Sequence, residues 1–217
     1  MKDKMTENQL KQMIAQLLTT VNPEKIDREK GQLAIKDPDF STQFESFINS
    51  YELREKFRLL MDLGEIIIPD GYVSGTYLDS FEGEYEYNKD ITDANSPSPS
   101  RILKPGDKLH VRAFEQIVDG TTTSKERMRF LNNQSGVVHL GAHGAKLVFE
   151  QKRDQLPKGK RYSSFDEKER LWKDAVGRHW VPSIFAFANG DFAFDLSFFG
   201  GNWNQHCVIL SFCVEQF

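Results

Sequence analysis

Residues 181–199 read VPSIFAFANGDFAFDLSFF, two runs of alternating residues that meet at Asn189-Gly190. Asn-Gly accepts the positive φ angles of a two-residue turn whose twist matches that of paired strands, so this junction is the strongest short-range hairpin signal a chain can carry. The alternation puts Phe185 and Phe187 on one face of the first strand and Phe192 and Phe194 on one face of the second. CVILSFCVE, residues 207–215, reads as a last strand. Hairpin and last strand are expected in one sheet.

Upstream the chain changes character twice. Leu10, Met13, Ile14, Leu17, Leu18 and Val21 recur at helical spacing over residues 6–21, with a Thr6/Gln9 capping box before them and Pro23 after them. Phe44, Phe47, Ile48 and Tyr51, then Leu53, Phe57 and Leu60, predict a second helix from Ser41 to Gly64. From Gly64 the composition becomes β-branched and aromatic, punctuated by Pro69-Asp70-Gly71. Residues 88–101, polar with Pro97 and Pro99, predict a long exposed loop. A strand is expected over 109–118, a short helix capped by Thr123 and Glu126, a strand over 145–151, and a short helix capped by Ser164 and Glu167. The expected class is therefore α+β, with a helical N-terminal segment over 1–63 and a mixed, mostly antiparallel domain over 64–217. The two amphipathic helices offer a homo-oligomer contact.

A formal net charge of −4 and an isoelectric point near 5.8 remove the long-range field that draws proteins to phosphates, so no nucleic acid partner is expected. No apolar run follows the lysines of MKDKM, and none is long enough to span a bilayer. A cytoplasmic protein without a membrane span is the expectation. His139 and His143 have the spacing of a helical zinc pair, but Gly136, Gly141 and Gly144 around them predict a glycine-rich turn with solvent-facing histidines. Gly141–Lys146 lacks the spacing of a phosphate loop, and no nucleophile elbow, CxxC or dinucleotide fingerprint is present. No metal, no cofactor and no catalytic residue is assigned.

Gly200-Gly201-Asn202-Trp203-Asn204, followed by a terminal strand, resembles the GG-x-W-N segment of C-type-lectin-like domains of the formylglycine-generating-enzyme kind, including the variable proteins of diversity-generating retroelements. Trp203-Asn204, Cys207 and Cys213-Val214-Glu215 are similar to the ending of the wider C-type lectin group. The resemblance implies a C-type-lectin-like fold for 64–217 and a ligand that is a protein or a surface structure. Gln205 stands where the lectin pattern has its calcium-associated aspartate, so calcium-dependent sugar binding is not implied. The same resemblance offers an alternative, a copper-dependent cysteine oxidase, with Cys207 and Cys213 as its metal pair; a structural or assembly role through the N-terminal helices is a third reading.

Large rings among small polar residues suit a binding surface, because rigid aromatics supply contact area at low entropy cost. Phe198 and Phe199 are adjacent, so they cannot both point into one core. The candidate ligand contacts are Phe187, Asn189, Asp191, Phe194, Asp195, Phe198, Asn202, Trp203, Asn204 and His206.

Overall fold

The computed structural model describes residues 56–79, 86–96 and 99–214, all of them in a unit that begins at Asn49. In chain order these residues form β1 (Phe57–Ile67), β2 (Glu86–Tyr87), β3 (Lys108–Gln116), β4 (Thr122–Thr123), α1 (Ser124–Asn132), β5 (Val137–Val138), α2 (Gly141–Lys152), β6 (Lys160–Ser164), β7 (Trp172–Lys173), β8 (His179–Ala186), β9 (Phe192–Phe198), β10 (Asn202–Trp203) and β11 (Cys207–Cys213).

The hairpin closes β8 on β9, not through a two-residue turn but through a longer loop over 187–191, in which Gly190 alone has positive φ, +101°, and Phe187 donates its N–H to the Asp191 carbonyl. The main sheet runs β1-β3-β11-β6-β8-β9-β2, with β5 added at β11 and β7 at β8. Its pairings are antiparallel except β11 with β6 and β2 with β9. The last strand is thus central, between β3 and β6. A central strand covered on both faces reads as a continuous apolar run, which is what VILSFC is.

Alternate residues of the strands feed two cores. On one face Val111, Tyr162, Ile184, Phe194, Leu210 and Phe212 pack with Leu147, Val148 and Phe149 of α2. On the other, Phe114, Val181 and Ile209 pack with Phe130 and Leu131 of α1 and with Phe165 and Trp203. A helix on each face of one sheet shields its apolar side chains from water.

The expected α+β class, a helical N-terminal segment followed by a mixed, mostly antiparallel C-type-lectin-like domain, is corrected by these elements. Among the described residues strand predominates, and the only α-helices are α1 and α2, of nine and twelve residues. Phe57 and Leu60, placed in a helix by their spacing, belong to β1, where pairing with β3 overrides the local pattern. Residues 41–55 of the second predicted helix, and the whole of 6–21, lie outside the described residues.

Residues 145–151, expected as strand, are helical in α2, because a short apolar run does not distinguish a buried helix from a strand. Gly144 is what lets that helix sit down. A Cβ there would lie 2.7 Å from Leu140 Cβ and 2.7 Å from the Phe212 ring, so only glycine permits the approach. The helix expected after Ser164 shrinks to one 3-10 turn, Lys168–Arg170, and Trp172 joins β7. The 88–101 segment is not a free loop either: Ile91 is fully buried, and the Asp93 carboxylate accepts N–H bonds from Leu78 and Asp79.

Candidate ligand-binding site

Phe198 is the last residue of β9, opposite Trp180 at the start of β8, and the two rings lie 5.7 Å apart. Beyond it the chain turns through Gly200 and Gly201, with the Gly201 N–H donated to Phe198 O at 3.0 Å. The Phe198 ring folds back over this turn: a Cβ on Gly200 would be 2.6 Å from a ring carbon. The ring nevertheless remains 42% exposed.

After the turn, Asn202 and Trp203 pair with Thr123 and Thr122, which carries the turn to the start of α1. Trp203 is 3% exposed and donates its indole N–H to Ser124 Oγ at 2.7 Å, while the Ser124 hydroxyl bonds to the Phe199 carbonyl. Thr123 caps the helix as the capping-box pattern predicts, its hydroxyl accepting from the Glu126 N–H and the Glu126 carboxylate accepting from the Thr123 N–H at 2.8 Å.

Arg127 locks this corner from beneath. Its buried guanidinium donates to Thr122 Oγ1, Gln116 Oε1 and the carbonyls of Asn204 and Cys207, and it stands 5.4 Å from the Trp203 ring and 5.6 Å from that of Phe57. Burial brings its pKa down to about 10, so it keeps its charge at neutral pH on carbonyl dipoles and ring faces.

A groove of about 480 Å³ opens between these parts, lined by Thr123–Lys125, Lys168, Gly177–His179 and Phe198–Gly201. Its apolar rings are Phe198 and Phe199, and the charged side chains along it are all cationic. Arg178 is held by Asp174 at 2.8 Å. Asp174 also accepts from the Trp180 indole and from the Val176 and Arg178 N–H groups; these bonds outweigh desolvation and bring its carboxyl down to about 2. Lys125 and Lys168 form no ion pair among the described residues. His179 is pushed below its ordinary pKa by desolvation and then by Lys168 and Lys173, which leaves it neutral at pH 7. Ser124 Oγ is committed to Phe199 and Trp203, and the Thr123 hydroxyl donates to the Glu126 carboxylate at 2.9 Å. What it can do is hold an apolar ring next to negative charge.

The ten predicted contacts do not form one surface. Phe198 edges the groove and Asn202 is exposed beside it. Phe187 and Asp195 lie in a second depression, about 350 Å³, where Phe187 stacks on Phe185 at 4.8 Å and Asn88 donates to Asp195 at 3.0 Å. On β9 that depression is lined by Ala193–Asp195, about 10–17 Å from Phe198 at the rise of a strand. Asn189 and Asp191 bond to each other on the exposed hairpin turn at 2.6 Å. His206 lies in a third depression, about 310 Å³, beside Glu115, which is clamped between Arg58 and Lys160. Asn204 is exposed and accepts from the His206 N–H. Phe194 also lines the second depression, with its ring 1% exposed in the first core, and Trp203 is packed in the second core. Lys125, Lys168, Arg178 and His179 had no signal of their own; only the fold brings them beside Phe198.

His143 is not solvent-facing. It is 1% exposed inside α2, with Nδ1 3.0 Å from the Tyr72 hydroxyl and Nε2 3.7 Å from Asp93 Oδ1. Burial, opposed by Asp93 and reinforced by Lys146, brings its pKa down to about 4. His139 precedes the helix and bonds Asn132 at 2.6 Å, so the two histidines do not converge. Asp166, also buried, faces the first residue of α2, and burial pushes its pKa up to about 7 despite an N–H bond from Glu167. Cys207 and Cys213 are free thiols at opposite ends of β11, roughly 20 Å apart at strand rise, too far to share one copper ion. Among the described residues no helix is long and apolar enough to cross a membrane. No family model, no curated protein and no solved structure matches the chain.

Proposed function

We propose that this chain is a binding protein whose ligand, part of another protein or of a surface structure, docks in the Phe198 groove. The observation that carries the reading is the exposed Phe198 ring, held in place by Trp180 and by the glycine turn at the mouth of a 480 Å³ groove. An aromatic ring fixed in advance loses little entropy on binding, which is how anchors of interfaces behave. Asn202 and Phe199 flank it as contacts, while Trp203, Ser124 and Arg127 hold the turn in shape. The likeness of residues 200–215 to retroelement-diversified binding proteins belongs to the same proposal: sister chains that match this one elsewhere and vary around the turn would support it.

A screen of small neutral aromatic fragments by NMR on the nitrogen-labelled chain tests the site. The expected hits shift the amide signals of Gly177, Gly200 and Gly201, and Phe198→Ala abolishes them. Hits confined to the Phe185 or His206 depressions, or no hits at all, contradict it.

A further inference from the structure

Resting on that binding reading, we infer that the groove's ligand is an acidic peptide segment, one that sets carboxylates beside an aromatic or aliphatic side chain. Four side chains with basic nitrogens line the groove, and among the described residues no carboxylate lines it. Asp174 neutralises Arg178, so the surplus falls on Lys125 and Lys168, both exposed and both without an ion pair among the described residues. His179, neutral at pH 7, adds a ring without adding charge. Glu169 and Asp174 stand near enough to His179 to oppose its pKa shift but lie outside the lining.

The described residues hold 20 lysines and arginines against 19 aspartates and glutamates, so their charge is near balance and the cationic lining of the groove is a local excess. Such a local cation pair attracts an acidic segment to this groove and sets its register, which is electrostatic complementarity acting on encounter. The apolar rings of Phe198 and Phe199 in the lining then favour a side chain that displaces water from them. Lysine ammonium groups separated across a groove suit carboxylates on a chain, each met as a point charge.

Random linear peptides displayed on phage, selected on the immobilised full-length chain, provide the probe. The expected winners place Asp or Glu beside Phe, Tyr, Trp or Leu, shift the Gly200 and Gly201 amide signals, and bind about tenfold more weakly to a Lys125→Glu/Lys168→Glu variant that melts like the parent. Their affinity also falls between ~50 and ~500 mM salt. Winners that shift the same glycines but are neutral or basic, or that ignore the charge reversal, overturn the acidic-ligand inference and leave the binding reading standing. A single-stranded oligothymidylate that displaces the winners and binds the same glycines more tightly overturns it in favour of nucleic acid. Winners that map away from the groove, or a selection with no winners, overturn the binding reading itself.

Discussion

Two clusters in this molecule are built of the same residue types and do opposite things. Around His143, Tyr72, Tyr77, Lys146, Asp93 and Glu150 turn inward on one another: Lys146 Nζ lies 4.0 Å from the Tyr77 ring centroid and 3.6 Å from Glu150, Tyr77 donates to Glu150 at 2.6 Å, and of the cluster's buried polar atoms only His143 Nε2 and Asp93 Oδ1, 3.7 Å apart, lack a hydrogen bond. Around Phe198, lysines, an arginine, a histidine and aromatic rings turn outward, and two of the cations have no counter-ion among the described residues. A polar group that has found its partner inside the fold contributes to stability; one left without a partner beside an exposed ring is available to a ligand. Residue type alone therefore carries little. The partners decide.

The sharpest way to break this contrast is a pair of glycine substitutions. Gly144→Ala drives a methyl into Leu140 and the buried Phe212 ring, which cannot give without moving helix or sheet, and should cost about 3 kcal/mol. Gly200→Ala pushes the Phe198 ring off Trp180 toward open solvent rather than into a core, so a smaller loss of about 1 kcal/mol is expected. Chemical denaturation of both variants checks the ordering; equal losses would show that Phe198 is packed like a core residue.

A smaller effect separates two buried acids and bases. His143 has a folded pKa of about 4 against an ordinary 6.5, so its contribution is complete above pH 6.5 and is lost as pH falls toward 4. Asp166 has a folded pKa of about 7 against 3.8, so its contribution is complete below pH 3.8 and is lost as pH rises through 7. Between pH 4 and 6.5 the two slopes oppose each other. Asp166→Asn removes one of them, and the melting temperature should then fall more steeply than in the parent on acidification, by an amount equivalent to up to about 3 kcal/mol. An unchanged slope would contradict the burial of Asp166.

The hairpin and the start of α1 were legible because their determinants are local: Asn189-Gly190 marks the connecting loop, and Thr123 and Glu126 stand three residues apart. By contrast α2 has no side-chain cap at Leu140, and its first residues read as a glycine turn. What makes it a helix is contact with Phe212 and with Tyr72, the latter 71 residues before His143. The same distance hid the groove. Phe198 was visible as one of two adjacent rings that could not share a core, but Lys125 precedes it by 73 residues and Lys168 by 30, with β7, β8 and the rest of β9 between. Thr123→Ala tests the legible side, with a loss of about 1 kcal/mol of stability as for other helix caps and no loss of either core.

The smallest expected change in stability bears most directly on where the ligand docks. Phe198→Ala should lower the melting temperature by no more than about 4 °C, equivalent to roughly 1 kcal/mol for a chain of this size, because the ring is already 42% exposed. Measured on the same sample, affinity for a fragment or peptide that shifts Gly200 and Gly201 should fall at least about tenfold, as when an interface anchor is truncated. A large fall in melting temperature, in the range of about 3–5 kcal/mol typical of a buried phenylalanine, together with unchanged affinity, would place Phe198 in the core and contradict the groove as the binding site.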